Sequence, residues 1–258
     1  MMEIKKIRET VPDAVNRVIG SADIILYILD ARFIEETRNY NIEQNIKLQN
    51  KKIIYVINKS DLTHKVDQNI LNKLSPNVVV SCKTRRGVNE LRNKIKIISR
   101  QLKKEPPIRI GSIGYPNTGK SSVINLVLGR KEVARTSPES GFTKGVMSLK
   151  LSKGVYLLDS PGIIPADERI DGLQKLAQIG VRTYDKVDDP GLIVHELMKK
   201  YPGVFEKFYG IDANGDVEKL IQEVGRKKSL LLKHNLVDED RTARVILKDW
   251  QKGRIKAQ

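Results

Sequence analysis

Residues 112–122 read SIGYPNTGKSS: Gly114, four residues, then Gly119-Lys120-Ser121. Glycines at that spacing let the backbone close around an anion, and the loop amides with the next helix N-terminus can cradle a pyrophosphate. In such a loop the lysine, Lys120, reaches the β and γ phosphates, and the Ser121 hydroxyl binds Mg2+. Asn117, Thr118 and Ser122 complete the stretch. Its flanks agree with this reading. IRIGSIG (108–114) reads as a strand after the helix-breaking Pro106-Pro107, and SSVINLVLG (121–129) as a helix with Gly129 at its C-terminal cap. Its position is unusual, because such loops normally follow the first strand and here more than a hundred residues come before it.

Those residues carry their own pattern. DIILYILD (23–30), 53–57 within KKIIYVINKSD and 77–81 within NVVVSCK read as buried parallel strands, and 35–50, 65–74 and 87–104 carry helical spacing between and after them. In the last of these, Val88, Leu91, Ile95 and Ile98 share one face. Strand-end chemistry follows twice. VINKSD places Asn58, Lys59 and Asp61 after the second strand. A carboxylate at Asp61 accepts both donors of the guanine edge, whereas adenine lacks that pair and leaves the acid unmatched. Asn58 would hold the loops together, and the Lys59 stem would cover the base face. After the third strand, Ser81-Cys82-Lys83 offers the Cys82 amide to guanine O6.

Downstream of the phosphate loop, GVMSLKLSKGVYLLDSPG (145–162) reads as two strands joined at Lys153-Gly154. Asp159 then ends a strand where it can hold Mg2+ through water, and the Gly162 amide can sense a γ-phosphate. Thr143, in SGFTKG between the motifs, can supply a second hydroxyl to Mg2+. Lys120, Thr143 and Gly162 are thus the candidate catalytic groups. Past about residue 165 the strands stop. DDPGLIVHELMKKY (188–201), DVEKLIQEVGRKKSLLLKH (216–234) and DRTARVILKDWQKG (240–253) read as helices. The expected organisation is an α/β nucleotide domain over 1–168 and a smaller all-α domain over 169–258.

Of the 258 residues, 47 are Lys or Arg and 31 Asp or Glu, a formal net charge of +16. A surface that basic attracts polyanions by releasing their counterions, and RNA is the expected class. Arg241, Arg244, Lys248 and Lys252 recur on one helical face, with Arg226, Lys227, Lys228 and Lys233 upstream. Aromatics are only 5% of the chain, too few for a stacking platform, so contacts to phosphate and RNA shape are expected rather than base reading. No apolar run reaches membrane-spanning length, and ADIILYILDA is broken by Asp23 and Asp30. The charged start MMEIKKIRET and the single cysteine, Cys82, lead to the expectation of a reducing cytoplasm, with no membrane or DNA partner.

These motifs resemble those of the Ras-like GTPases in rotated order, base recognition first and phosphates second. That arrangement is most similar to the circularly permuted YlqF/RbgA-type ribosome-assembly GTPases. LDAR (29–32), GYPNTGKSS, DSPGI and the C-terminal KKYPGVFEKFYGI and GRKKSLLLKHNLVDEDRTARVILKDWQKGRI carry the likeness. The resemblance implies a permuted Ras-like domain followed by a helical domain, acting as a monomer with GTP or GDP and Mg2+ on a maturing large ribosomal subunit and its rRNA. It implies that nucleotide state reorients the helical domain through the switch after Asp159. Ile163 stands where Ras-like enzymes carry a water-orienting Gln, implying slow hydrolysis that a partner stimulates. The family's Pro-Gly-His-Met start has no counterpart here, and His64, His195 and His234 lie elsewhere, in surface or packing settings. An Asn at the place of Asn117 accompanies activation by potassium in related GTPases; an ordinary polar loop residue is the other reading. A GTP-gated RNA-binding scaffold with negligible hydrolysis is the alternative function. A general ATPase is disfavoured by Asn58-Lys59-Ser60-Asp61.

Overall fold

Every residue of Ile24–Asp30 is buried, which is what a strand covered on both faces requires. The computed structural model describes residues 11–63, 66–129, 147–159, 177–180 and 182–256. This strand, β1, lies in the interior of a six-stranded sheet. It pairs in parallel with β2 (Lys52–Asn58), from Ile24↔Lys52 to Asp30↔Asn58, and with β4 (Ile108–Ile113), from Ile24↔Ile110 to Tyr27↔Ile113. β3 (Asn77–Val79) continues parallel beyond β2, and β6 (Val155–Asp159) lies parallel beyond β4. β5 (Met147–Ser152) closes that edge antiparallel to β6. The order is β3-β2-β1-β4-β6-β5, so the expected α/β architecture is the one observed.

Helices cover both faces. Because side chains alternate along a strand, Ile25, Tyr27 and Leu29 face one way, with Val15, Val18 and Ile19 of α1 (Val11–Ser21) and Ile46 of α2 (Tyr40–Leu48). Leu71 of α3 (Gln68–Lys73) joins that cluster. Ile24, Leu26 and Ile28 face the other way, against Leu91, Ile95 and Ile98 of α4 (Val88–Gln101) and Val123, Ile124 and Val127 of α5 (Lys120–Leu128). The face expected on α4 is the buried one. α1 lies outside the elements expected from sequence; it packs three buried valine and isoleucine side chains onto the sheet.

The chain separates into two compact units, Met1–Asp61 with Lys65–Ile170, and Leu62–His64 with Asp171–Gln258. In the second, described helices are α6 (Pro190–Lys200), α7 (Val204–Tyr209), α8 (Val217–Lys227) and α9 (Glu239–Gln251). Aspartates cap three of them: Asp189, Asp216 and Asp238 accept from the amides of Leu192, Lys219 and Arg241. Trp250 is buried, stacks on Phe205 and donates its indole N–H to Gln178 O at 2.9 Å. The helix expected across 216–234 stops at Lys227. Ser229 adopts φ 54, Leu230 N bonds back to Gly225 O, and Leu231 pairs with Val237 in a short antiparallel bridge. A non-glycine residue in the left-handed region ends a helix, and here the hairpin seats Val237 against Gly225, where a Cβ would lie 2.2 Å from Val237 Cγ1.

Truncating Leu26, fully buried in β1, to Ala should cost about 2–5 kcal/mol in urea unfolding. The same change at Leu48, 82% exposed, should stay within about 0.5 kcal/mol.

Candidate nucleotide site

β1, β2, β3 and β4 run parallel, so the loops after them emerge at one edge of the sheet. The chain moves outward from β1 to β2 and β3, then returns to β4 on the other side of β1. The reversal opens a crevice beyond the strand ends, the place where open α/β sheets bind ligands.

The phosphate loop follows β4. Gly119 takes φ 99, and a Cβ built there would lie 2.2 Å from the Asn58 side-chain nitrogen, so only glycine admits this approach. Asn117 adopts φ 62, a left-handed conformation that Asn tolerates better than most residues. The Thr118 hydroxyl and the Lys120 ammonium both donate to Tyr115 O, at 2.8 and 2.9 Å, which pulls the buried lysine into the curve of the loop. Ser121 and Ser122 open α5 and are half-buried.

Asn58 connects this loop to the base side. Its side chain is buried, Nδ2 donates to Thr118 O at 2.8 Å, and Oδ1 accepts from the Cys82 amide at 3.3 Å. The Cys82 amide, expected from sequence at guanine O6, is therefore directed in this structure at the carboxamide whose other end is committed to Thr118. Ser81 donates its hydroxyl to Asp61 Oδ1 at 2.6 Å and accepts from the Thr84 amide at 3.1 Å, which fixes the carboxylate's orientation. A carboxylate has about four lone-pair positions, so Asp61 retains capacity for two guanine donors. Lys83 is exposed.

The contact that sequence reasoning missed links Asp30, ending β1, to Lys59. The Lys59 ammonium lies 2.8 Å from Asp30 Oδ2. The same carboxylate takes three bonds from Arg32: its amide and Nε to Oδ1 at 3.0 Å and its terminal nitrogen to Oδ2 at 2.8 Å. Burial by itself would raise the Asp30 carboxyl, but the Lys59 and Arg32 charges outweigh it and hold it at about 2. Burial moves Lys59 below its ordinary value, against the pull of Asp30. The sequence offers only an acid ending one strand and a lysine following the next; the register that sets Asp30 opposite Asn58 brings them together.

For Mg2+, Ser121 offers a hard oxygen at the helix start, and Asp159 ends β6, beside the strand that carries the loop. Among the described residues no group of three or more His, Cys, Asp or Glu gathers. Thr143 and Gly162 lie outside the described residues, as does the side chain of Asp159. His195 and His234 are exposed in the helical unit, and His64 lies outside the described residues. The basic stripe on α9 is less available than its spacing suggested. Arg244 donates to the carbonyls of Tyr184 and Val187 at 3.0 and 2.9 Å, and Lys248 lies over the Tyr184 ring.

Asn58→Ala leaves Thr118 O and the Cys82 amide without that partner, and should weaken binding of a fluorescent GDP about ten- to a hundredfold with the circular dichroism unchanged. Burial pushes the Cys82 thiol up to about 11. Because the thiolate is the nucleophile, iodoacetamide at pH 8 should label this single cysteine at least about tenfold more slowly in the native protein than in urea.

Residues 109–237 match a family model described as 50S ribosome-binding GTPase. An uncharacterized GTP-binding protein of Methanocaldococcus jannaschii is 36% identical, over 99% of this chain and 68% of that protein. GTPase grn1 of Schizosaccharomyces pombe is 28% identical over 93% of this chain and 59% of that protein. Nucleolar GTP-binding protein 2 of Saccharomyces cerevisiae is 32% identical over 93% of this chain and 51% of that protein. The chain thus spans between 51% and 68% of the length of these relatives. The fold is similar to GNP-bound YlqF from T. maritima, with a TM-score of 0.65 over 97% of this chain and 98% of that one, at 20% identity. GDP-bound TM YlqF superposes with the same score over 95% of this chain and 97% of that one. With base motifs ahead of phosphate motifs on a Ras-like sheet, the chain belongs to the 50S ribosome-binding GTPases, in their circularly permuted form.

Proposed function

We propose that this chain hydrolyses GTP and uses its nucleotide state to bind and leave a maturing large ribosomal subunit. The observation that carries the nucleotide assignment is the Asn58 carboxamide, which joins the phosphate loop to the base loop while Ser81 orients Asp61. In this reading Asp61 and Asn58 select guanine, with Ser81, Cys82 and Lys83 bordering the base and Lys59 covering its face. Lys120 and the loop amides, with Thr118, Gly119 and Ser122, hold the phosphates. Ser121, Thr143 and Asp159 organise Mg2+, and the Gly162 amide senses the γ-phosphate. Catalysis rests on positioning and charge. With Ile163 in place of a water-orienting glutamine, turnover is slow until a partner completes the site. Asn117 is the candidate potassium ligand.

The ribosomal partner is inferred from family membership, from relatives named for the nucleolus, and from the +16 charge. We assign rRNA contact to the helical domain, residues 169–258, and GTP chemistry to residues 1–168. Exposed Arg226, Lys227, Lys228, Lys233, Arg241 and Lys252 supply the phosphate contacts, with Arg244 reserved for the fold. The protein acts as a monomer in the cytoplasm, where a single thiol stays reduced.

The test is GTP turnover by purified protein in potassium and in sodium, with and without large ribosomal subunits. We expect at least about tenfold stimulation by subunits, greater in potassium, and a shift of preference from guanine to xanthine nucleotides in Asp61→Asn. Turnover at background with subunits demonstrably bound makes GTP a gating ligand and the protein a scaffold.

A further inference from the structure

Lys59 is held in an unusual way for a residue at the mouth of a ligand site. Its backbone sits at φ 63, in the left-handed region that non-glycine residues rarely adopt. Its side chain is 23% exposed, yet the ammonium at its tip is turned inward onto a carboxylate that is 1% exposed. That carboxylate is itself clamped by Arg32, 4% exposed, through two side-chain bonds and one amide bond. The carboxylate thus accepts four donors, close to its full capacity. The Asp30 amide donates to Thr37 Oγ1 at 3.1 Å, and Ala31 N donates to Asn58 O at 2.8 Å, so the β1 exit and the Asn58 turn form one rigid piece.

An ion pair of this kind is poorly explained as a stabiliser. Taking charges out of water costs as much as their attraction returns, and apolar side chains of similar volume would serve a core as well or better. What the pair provides is direction. With its ends fixed, at the strained backbone and at Asp30, the lysine's four-methylene stem becomes a fixed apolar strip beside Asn58 and Asp61 rather than a mobile surface chain.

We infer that Asp30 and Arg32 are positioning residues: they anchor the Lys59 ammonium so that its stem forms a standing wall against the base face, and thereby slow nucleotide release. The inference rests on the reading of this site as a guanine-nucleotide pocket. It assigns Asp30 and Arg32 no contact with the base edge, so the choice among purines stays with Asp61. A wall that is already in place does not have to be assembled when ligand arrives, so the effect falls on dissociation rather than association.

The experiment is stopped-flow release of a fluorescent GDP, chased with excess GDP, from wild type, Asp30→Asn, Lys59→Met and the double variant. Methionine keeps an apolar stem but cannot bind Asp30. Each single variant should raise the dissociation rate about ten- to a hundredfold, with the association rate changed less than about threefold. The double variant should release no faster than Lys59→Met, because Asp30 acts through the lysine. Guanine-over-xanthine preference should stay at the wild-type value in Asp30→Asn. Effects that add in the double variant, or release from Lys59→Met at the wild-type rate, overturn the inference. If Asp30→Asn does not fold, the release rate of Lys59→Met decides the matter by itself. If wild type does not bind the fluorescent GDP, the site assignment falls instead, and the two failures are told apart at the first titration.

Discussion

The rest of this site depends on one carboxamide. Asn58 leaves the end of β2 and reaches across to the phosphate loop, sixty residues on in the chain, while its oxygen takes the amide of the loop after β3. Three strand ends are thereby fixed to one another through a side chain that is 2% exposed. The contact is so close that residue 119 has no room for a Cβ, so the glycine that shapes the phosphate loop is also the glycine that admits Asn58. The pocket is a property of parallel strands ending together, and the order in which the chain visits those strands does not enter. A sequence can therefore be read in rotated order, base motif before phosphate motif, and still build the same cup.

How much of this could be read in the residues divides along a physical line. Elements announced by local chemistry were legible. The phosphate loop, the two strands meeting at Gly154 and the apolar face of α4 all follow from spacing, turn residues and alternation over a dozen positions. Contacts that need tertiary register were not. Asp30 and Lys59 are 29 residues apart, and nothing near either one predicts the other until Asp30 is seen opposite Asn58. The roles proposed for Thr143, Asp159 and Gly162 stay with their motifs, since the described side chains do not include them.

The helical unit shows the opposite failure, where a local pattern is too persuasive. Leu230-Leu231-Leu232 continues the apolar spacing of α8, so the spacing predicts a helix running through it. Periodicity records which residues are apolar and not whether the backbone can reverse. Here Ser229 at φ 54 and the Leu230 amide bonding back to Gly225 end the helix before that run. In the same way, three cations at helical spacing on α9, with Lys252 at its C-cap, look like a polyanion-binding stripe. Charge spacing cannot reveal that Arg244 commits its guanidinium to the carbonyls of the 184–187 turn and to its ion pair with Asp240. A guanidinium suits that task because its fan of donors can satisfy several acceptors at once.

Arg32 and Arg244 thus solve one problem in two settings. Each uses a rigid fork to fix a turn. In the helical unit Nε and Nη2 of Arg244 pair with the exposed Asp240 carboxylate while Nη1 reaches the carbonyls of the turn. At the β1 exit the fork faces a carboxylate, and the carboxylate has a second partner in Lys59. That difference matters because the exposed Asp240 carboxylate is solvated and makes little demand on a second cation, whereas the buried Asp30 carboxylate has no water to share its charge. Arg32 alone would already neutralise Asp30 with better geometry than an ammonium can offer. A second cation on the same group adds charge that burial disfavours, which is why Lys59 is drawn below its ordinary value. Packing gives no reason to retain it, and a fixed direction for the lysine stem does.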